Sequence, residues 1–209
     1  QTCCGALHVH AGDLKGAREL ARRNIDAFLP LAAEAIIVNA AGCGAAVKDY
    51  AQLLKDDPAY AEKAAQFSAL VKDINEFLAS LPFDSKMGPV KGRVTYQDSC
   101  HLAHAQGAKA QPRAILQAIP GLELVEMETP ERCCGSGGVY NIVQPEMSWR
   151  LLKDKMADIA GTKAKIIATA NTGCMMQLEA GLRRYGPKGA HVAHVVELLD
   201  EAYRALDGE

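Results

Sequence analysis

Aromatic side chains are scarce: Phe, Trp and Tyr make up 5% of the 209 residues, with a single Trp. The core therefore has to be built mainly from Ala, Leu, Ile and Val. No charge of one sign dominates. Twenty-three Lys and Arg stand against 25 Asp and Glu, a formal net charge of −2, which argues against the concentrated basic face that nucleic-acid binding needs. Long apolar runs are missing as well. The most apolar stretch, Phe28 to Val47, is broken by Pro30, Glu34, Asn39 and the small residues around Cys43, and no clean run of ~18 residues could span a bilayer. The sequence shows no basic flank, apolar run and small-residue cleavage site of the secretory kind. Gly135-Ser-Gly-Gly138 lacks the Gly-Lys-Ser/Thr of a phosphate loop, and no spacing suggests a Ser-His-Asp order. At 49% hydrophobic and 23% charged, the composition is that of a globular chain of one or two domains.

What the sequence does have is cysteine, and the cysteines repeat. There are seven: Cys3, Cys4, Cys43, Cys100, Cys133, Cys134 and Cys174. An odd number in a chain of this size does not suggest a secreted disulfide scaffold; the expectation is reduced thiols in the cytoplasm. Cys3-Cys4-Gly5 recurs 130 positions later as Cys133-Cys134-Gly135, and Gly42-Cys43 recurs 131 positions later as Gly173-Cys174. The segments between match in kind. Leu14 to Leu29 and Pro145 to Ile159 read as amphipathic helices, with Asp13 and Gln144-Pro145 as starts. Each leads to a short β-branched run, Ala35–Val38 and Lys165–Thr169, then a Gly-Cys turn and a helix, near Ala45–Leu54 and Met175–Tyr185. Ala69–Leu81 and Val195–Leu206 read as closing helices. Two copies of one supersecondary unit follow, residues 1–88 and 89–209.

The second copy adds a strand at Arg93–Gln97, a helix near Gln111–Ala118 and a strand at Leu122–Met127. The 130-residue offset puts the counterpart of Cys100 thirty residues before Gln1, so the expectation is a piece of a longer protein that opens inside its first repeat. Strands alternating with helices imply an α/β fold with largely parallel sheets, whose C-terminal strand ends share the edge where ligands bind. Cys100, Cys133, Cys134 and Cys174 each follow such a strand end. Cys43 and Cys174 also sit near a helix N-terminus, which favours thiolate, and Gly135–Gly138 lets backbone amides approach sulfur.

A single buried thiol behaves as a small hydrophobe, but a repeated set of this kind points to metal. Zinc usually takes ligands as Cys-x₂₋₄-Cys around one ion, which adjacent cysteines suit less well. Sulfurs from three loops, neighbours included, fit a multinuclear iron–sulfur cluster, because adjacent thiolates can bind different irons. Zinc stays open as the alternative. Among other residues, His101 and His104 are candidates to ligate metal or hydrogen-bond a sulfur, and Asp98 and Tyr96 to support the site. His8, His10, His191 and His194 read as structural or exposed, Lys48-Asp49-Tyr50 as a solvated helix face, and Trp149, Met175 and Met176 as core.

Cys100, then Cys133-Cys134-Gly135, then Gly173-Cys174 resembles the cysteine-rich CCG domain, with 32 residues between Cys100 and Cys133, a spacing that family admits. It occurs in tandem in heterodisulfide reductase and in iron–sulfur subunits of glycolate oxidase and lactate-utilisation proteins. Cys3-Cys4-Gly-Ala-Leu, Ala41-Gly-Cys-Gly-Ala45, Val47-Lys-Asp-Tyr50 and Ala170-Asn-Thr-Gly-Cys174 are most similar to the C-terminal half of the glycolate oxidase iron–sulfur subunit. That resemblance implies a [4Fe–4S] cluster, non-cubane in heterodisulfide reductase, held by Cys100, Cys133, Cys134 and Cys174, with Cys3, Cys4 and Cys43 as a second, incomplete set. It implies electron relay from a flavin subunit that oxidises a 2-hydroxy acid such as glycolate to an acceptor such as quinone, and an N-terminal ferredoxin-like domain in the parent chain. No nucleic acid is expected as partner, and contact with the inner membrane face would come through partners. Where the family carries the last cysteine of Cys-x-x-Cys, this chain has Ala46 and Gln177. This puts disulfide-reducing chemistry in doubt and leaves a zinc-bound or metal-free docking module as the other reading.

Overall fold

The computed structural model describes residues 2–82 and 86–207. In each repeat a Cys-Cys-Gly turn leads into a short helix, α1 (Ala6–His10) in the first copy. Helix α2 (Leu14–Phe28) follows, started by Asp13, whose carboxylate accepts the Gly16 N–H at 2.9 Å. A 3₁₀ turn at Leu29–Leu31 leads to β1 (Ile36–Val38), then α3 (Ala41–Lys48), α4 (Tyr50–Leu53) and α5 (Ala61–Leu70). Residues Val71–Asp73 form β2 and Ile74–Ala79 form α6. The second copy opens on β3 (Gly92–Tyr96), a π-helical turn at His101–Ala105, α7 (Ala110–Ala118) and β4 (Leu122–Leu124). A loop carries the Cys-Cys-Gly into α8 (Tyr140–Val143) and α9 (Pro145–Thr162), then β5 (Ile166–Thr169), α10 (Thr172–Tyr185), β6 (His191–His194) and α11 (Val195–Asp207).

Both sheets are parallel: β1 pairs with β2, and the larger sheet runs β4-β3-β5-β6. This is the α/β arrangement of pseudo-repeated units with parallel sheets that the sequence predicts. In the larger sheet β5 is buried along its whole length, because helices cover both faces. Ile166 and Ala168 join Val94, Tyr96, Ile115, Leu116, Leu198 and Leu199 on one side. Ile167 joins Leu152, Met156, Ile159 and Leu178 on the other. The smaller sheet packs with Ala21, Ile25, Val47, Tyr50, Leu54 and Phe67. Each fully buried aliphatic side chain of this kind contributes about 1.5–3 kcal/mol.

The repeat extends further than the sequence pattern. Val71–Asp73, which reads as part of a helix over Ala69–Leu81, pairs with β1 as a strand, and β6 takes the equivalent place beside β5. Both strands end the same way. Asp73 donates its N–H to Glu76 Oε2 at 2.9 Å, and His194 donates its N–H to Glu197 Oε2 at 2.6 Å, each tying the strand end to the helix that follows. A three-residue strand is invisible between helical neighbours because only the edge offered by β1 creates it. Strand β4 likewise stops at Leu124, short of the expected Met127, which turns instead into the core beside Leu152 and Cys134.

Candidate metal centre

All seven cysteines line one cavity of about 370 Å³. They reach it from equivalent places in the two repeats. Cys43 and Cys174 occupy the first turns of α3 and α10, at the C-terminal ends of β1 and β5. Cys3 and Cys4 precede α1, and Cys133 and Cys134 precede α8 at the end of the long loop after β4, rather than directly at the strand end. Cys100 heads the π-helical turn after β3. Cys134 and Cys174 are buried, Cys4 and Cys43 half-buried, and Cys3, Cys100 and Cys133 exposed.

Each Cys-Cys is turned by a glycine in the left-handed region, Gly5 at φ +84° and Gly135 at φ +91°. At Gly135 the turn aims its N–H at Cys133 Sγ, 3.3 Å away. The turn is anchored from below: Ser148 Oγ donates to the Gly135 carbonyl at 2.7 Å, and Gln177 Nε2 donates to Ser148 Oγ at 2.9 Å. Gln177 Oε1 accepts from Asn141 Nδ2 at 3.3 Å. Gln177 is 7% exposed and is spent on this network, outside the cavity lining, so the position where the resemblance leads one to expect a further cysteine supports the turn instead.

Hydrogen bonding sorts the thiols. In the first repeat the Cys4 thiol, itself pushed up by this bond and by burial, donates to Cys43, which is lowered to about 7. In the second, the Cys134 thiol is shared with Cys133 and Cys174 and is pushed up in the same way. Cys133 is lowered to about 6 by that bond, against burial and aided by the Gly135 N–H and the Lys155 charge. Cys174 is lowered by the Cys134 thiol, against burial and aided by Asn171 Nδ2 at 3.5 Å. Cys100 is raised by burial and by Cys174 and Cys133. In each repeat a central thiol thus stays protonated and makes its neighbours thiolate-prone, so a metal would meet part of each set ionised and displace the remaining protons on binding.

Asn171 also joins the two halves. Its Oδ1 accepts the Gly42 N–H at 2.9 Å, beside Cys43, while its Nδ2 faces Cys174. The Ala41 N–H reaches the Ala170 carbonyl at 3.0 Å, and Gln106 Nε2 reaches the Ala41 carbonyl at 2.9 Å.

Several expectations change in detail. His101 Nδ1 lies 3.6 Å from Cys100 Sγ and its ring meets His10 edge-on at 5.4 Å; both rings line the cavity. Burial and the neighbouring His10 lower the His101 pKa. His104 is exposed and outside the cavity lining. Asp98 is held by both Nη atoms of Arg113 at 2.8 and 3.2 Å, and Tyr96 is a buried strand residue beneath that guanidinium. Tyr50 is no solvated face: it is 1% exposed, and its hydroxyl donates to the Cys4 carbonyl at 2.7 Å. Met176, expected in the core, is 71% exposed at the cavity rim. Tyr50 and Asn171 stood in the motifs that carry the resemblance but with no role attached, and Ser148 had no signal at all, since each acts through a partner distant in the chain.

The loop before Cys133 is fixed by Asp158, which accepts from the Glu128 N–H, the Thr129 N–H and the Thr129 hydroxyl at 2.9, 3.0 and 2.6 Å. Burial pulls this carboxyl upward, but those three donors and the Lys155 charge outweigh it and hold it below its ordinary value of 3.8. A carboxyl depressed in the folded state adds stability above the unfolded pKa and loses it as pH falls through the folded one. Urea melts from pH 6 down to pH 3 should therefore show a steeper acid loss for the parent chain than for Asp158→Asn, and parallel curves would refute this assignment.

The CCG family, described as a cysteine-rich domain, matches residues 1–48 and 94–179. The sequence is 45% identical over 205 residues to the "Probable glycolate oxidase iron-sulfur subunit" of Bacillus subtilis, covering 97% of this chain and 46% of that one. It is 33% identical over 201 residues to "Lactate utilization protein A" of Oceanobacillus iheyensis, covering 96% and 81%. A third relative, the "Glycolate oxidase iron-sulfur subunit" of Escherichia coli, is 34% identical over 203 residues, covering 96% and 48%. The chain thus spans about half the length of the first and third and four-fifths of the second. With two Cys-Cys-Gly turns, two Gly-Cys helix starts and both matched stretches meeting at one cavity, the chain belongs to the CCG cysteine-rich domain family.

Proposed function

We propose that this chain is an iron–sulfur electron-transfer subunit, or part of one, in a flavin-dependent 2-hydroxy-acid dehydrogenase complex, with glycolate the substrate that relatives favour. The observation that carries this reading is the meeting of seven thiols at one cavity. The donor set fits such a group in its chemistry: soft thiolates select iron–sulfur clusters, zinc or copper(I), and a backbone N–H already points at a sulfur, while among the described residues no three His, Cys, Asp or Glu side chains are placed to hold a single metal ion. Adjacent Cys133 and Cys134 suit a cluster of several irons, each taking its own thiolate, better than a single zinc.

Cys100, Cys133, Cys134 and Cys174 would hold the cluster, which when bound supplies one-electron transfer; Cys3, Cys4 and Cys43 form a smaller set on the same cavity. The chain's own contribution is to supply N–H donors to thiolate and to bury part of the set. The Gly135 N–H meets the exposed Cys133 sulfur and Asn171 Nδ2 meets Cys174, which is buried with Cys134. Oxidation of the hydroxy acid belongs, in this reading, to a flavin-bearing partner, and the acceptor is a quinone or a similar carrier. Among the described residues no helix is long and apolar enough to cross a membrane; a cytoplasmic place with attachment through partners is part of the proposal, as is a division into units 1–88 and 89–209.

The test is anaerobic purification of the chain with iron, zinc and acid-labile sulfide quantified and an electron paramagnetic resonance spectrum recorded. About four iron and four sulfide per chain is the expected result. Zinc without sulfide, or no metal at all, would refute the electron-transfer role and leave a docking module.

A further inference from the structure

Helices α2 and α9 present the same buried face in the same register. Ala17, Ala21, Asn24 and Ile25 in the first correspond, 131 positions on, to Ser148, Leu152, Lys155 and Met156 in the second. Three of these pairs exchange one small or apolar residue for another. The fourth sets a neutral amide against an ammonium.

Both residues secure the chain leading into a Cys-Cys-Gly turn. Asn24 Nδ2 donates to the Cys3 carbonyl at 3.1 Å and to Tyr50 Oη at 3.0 Å, while its Oδ1 accepts the Thr2 N–H at 3.1 Å. Lys155 Nζ donates to the carbonyls of Thr129 at 2.7 Å and Pro130 at 3.5 Å, with Asp158 Oδ2 4.0 Å away. Holding carbonyl oxygens does not require a charge, since Asn24 does so with an amide. Yet Lys155 is 0% exposed, and an ammonium is among the most costly groups to bury. Asp158, its ion-pair partner among the described residues, is already engaged by three donors on the loop. Burial lowers the Lys155 pKa, Asp158 and Cys134 oppose that, and the Lys155 charge in turn lowers Cys133, at the end of the loop whose carbonyls the ammonium holds.

We propose that Lys155 is a positioning charge that raises the reduction potential of the group held by Cys100, Cys133, Cys134 and Cys174, where the first repeat has the neutral Asn24. This rests on the iron–sulfur reading above. On reduction the group gains one electron and one negative charge, the electron coming from dithionite in the titration below, and no bond in the chain forms or breaks. A fixed cation in a medium of low dielectric stabilises the more negative state.

The experiment is a potentiometric titration with dithionite, followed by electron paramagnetic resonance, on the parent chain, Lys155→Gln, Lys155→Arg and Asp158→Asn, each first assayed for iron and sulfide. Lys155→Gln should shift the midpoint to more negative potential by a tenfold change in the reduction equilibrium, about 59 mV for one electron. Lys155→Arg, which keeps the charge, should stay near the parent. Asp158→Asn, which removes the counter-charge and keeps an acceptor oxygen, should shift the opposite way. This sign change is one that a merely structural role would not produce, and should Lys155→Gln fail to retain its iron, Lys155→Met, a second neutral variant, should show the same negative shift. An unmoved midpoint in Lys155→Gln, or a negative shift in Asp158→Asn, overturns the inference while leaving the iron–sulfur reading intact. A parent chain without iron and sulfide overturns both.

Discussion

Gly135→Val is expected to cost about 4 kcal/mol of stability, against about 2 kcal/mol for Gly5→Val at the equivalent turn. Both glycines have positive φ, at +91° and +84°, where a β-branched side chain is strained by roughly 1–2 kcal/mol whatever space surrounds it. The difference lies in what a Cβ would meet. At Gly135 it would fall 2.5 Å from the carbonyl oxygen of Ser148, which belongs to the backbone of α9 and cannot rotate away. At Gly5 the nearest atoms, on Ala17, stand at 3.5 Å, an ordinary contact. Relief at Gly135 therefore means moving the turn off α9, which also breaks the Ser148 hydroxyl bond to the Gly135 carbonyl and the Gln177 bond behind it. Urea unfolding of the two variants at neutral pH, monitored by circular dichroism, measures both losses. Equal losses would mean that the close packing of the second turn on α9 contributes nothing.

Cys174→Ala should reduce bound iron and sulfide to near background while the chain stays folded, at a cost of about 1 kcal/mol. The sulfur is small, and Leu178, Leu152 and Cys134 in the same core cluster keep the neighbourhood packed. The ligand loss is another matter. Cys174 accepts from the Cys134 thiol and from Asn171 Nδ2, so its removal takes away the thiolate that burial alone would have disfavoured, leaves Asn171 Nδ2 without this acceptor and leaves the Cys134 thiol to Cys133 alone. Helix α10 itself offers no second cysteine, because Gln177 occupies its next turn and its side chain faces Ser148 and Asn141. Iron and sulfide assays beside a thermal melt separate the two effects. Full iron content in the variant would remove Cys174 from the ligand set.

The cysteine set was legible in sequence because its information is local: a Cys-Cys-Gly needs glycine for its turn, and a Gly-Cys after a β-branched run marks a strand feeding a helix. The amphipathic periods of Leu14–Phe28 and Pro145–Ile159 likewise announced α2 and α9, since a buried stripe repeats every three or four residues. The two short strands β2 and β6 carried no such period. They exist because β1 and β5 present open edges, a fact about pairing across the chain rather than about three residues.

The sequence alone determined the duplicated unit, the parallel α/β class and the thiols that converge, all consequences of periodicity and turn chemistry. Tertiary structure decided what surrounds those thiols. It put Tyr50 beneath Cys4 rather than in solvent, spent Gln177 on the Gly135 turn, set Asn171 between the two halves and placed the Lys155 ammonium where the first repeat has an amide. Each of these depends on a partner far away in the chain. Only packing, through the burial of polar groups that must then find hydrogen bonds, selects such a partner.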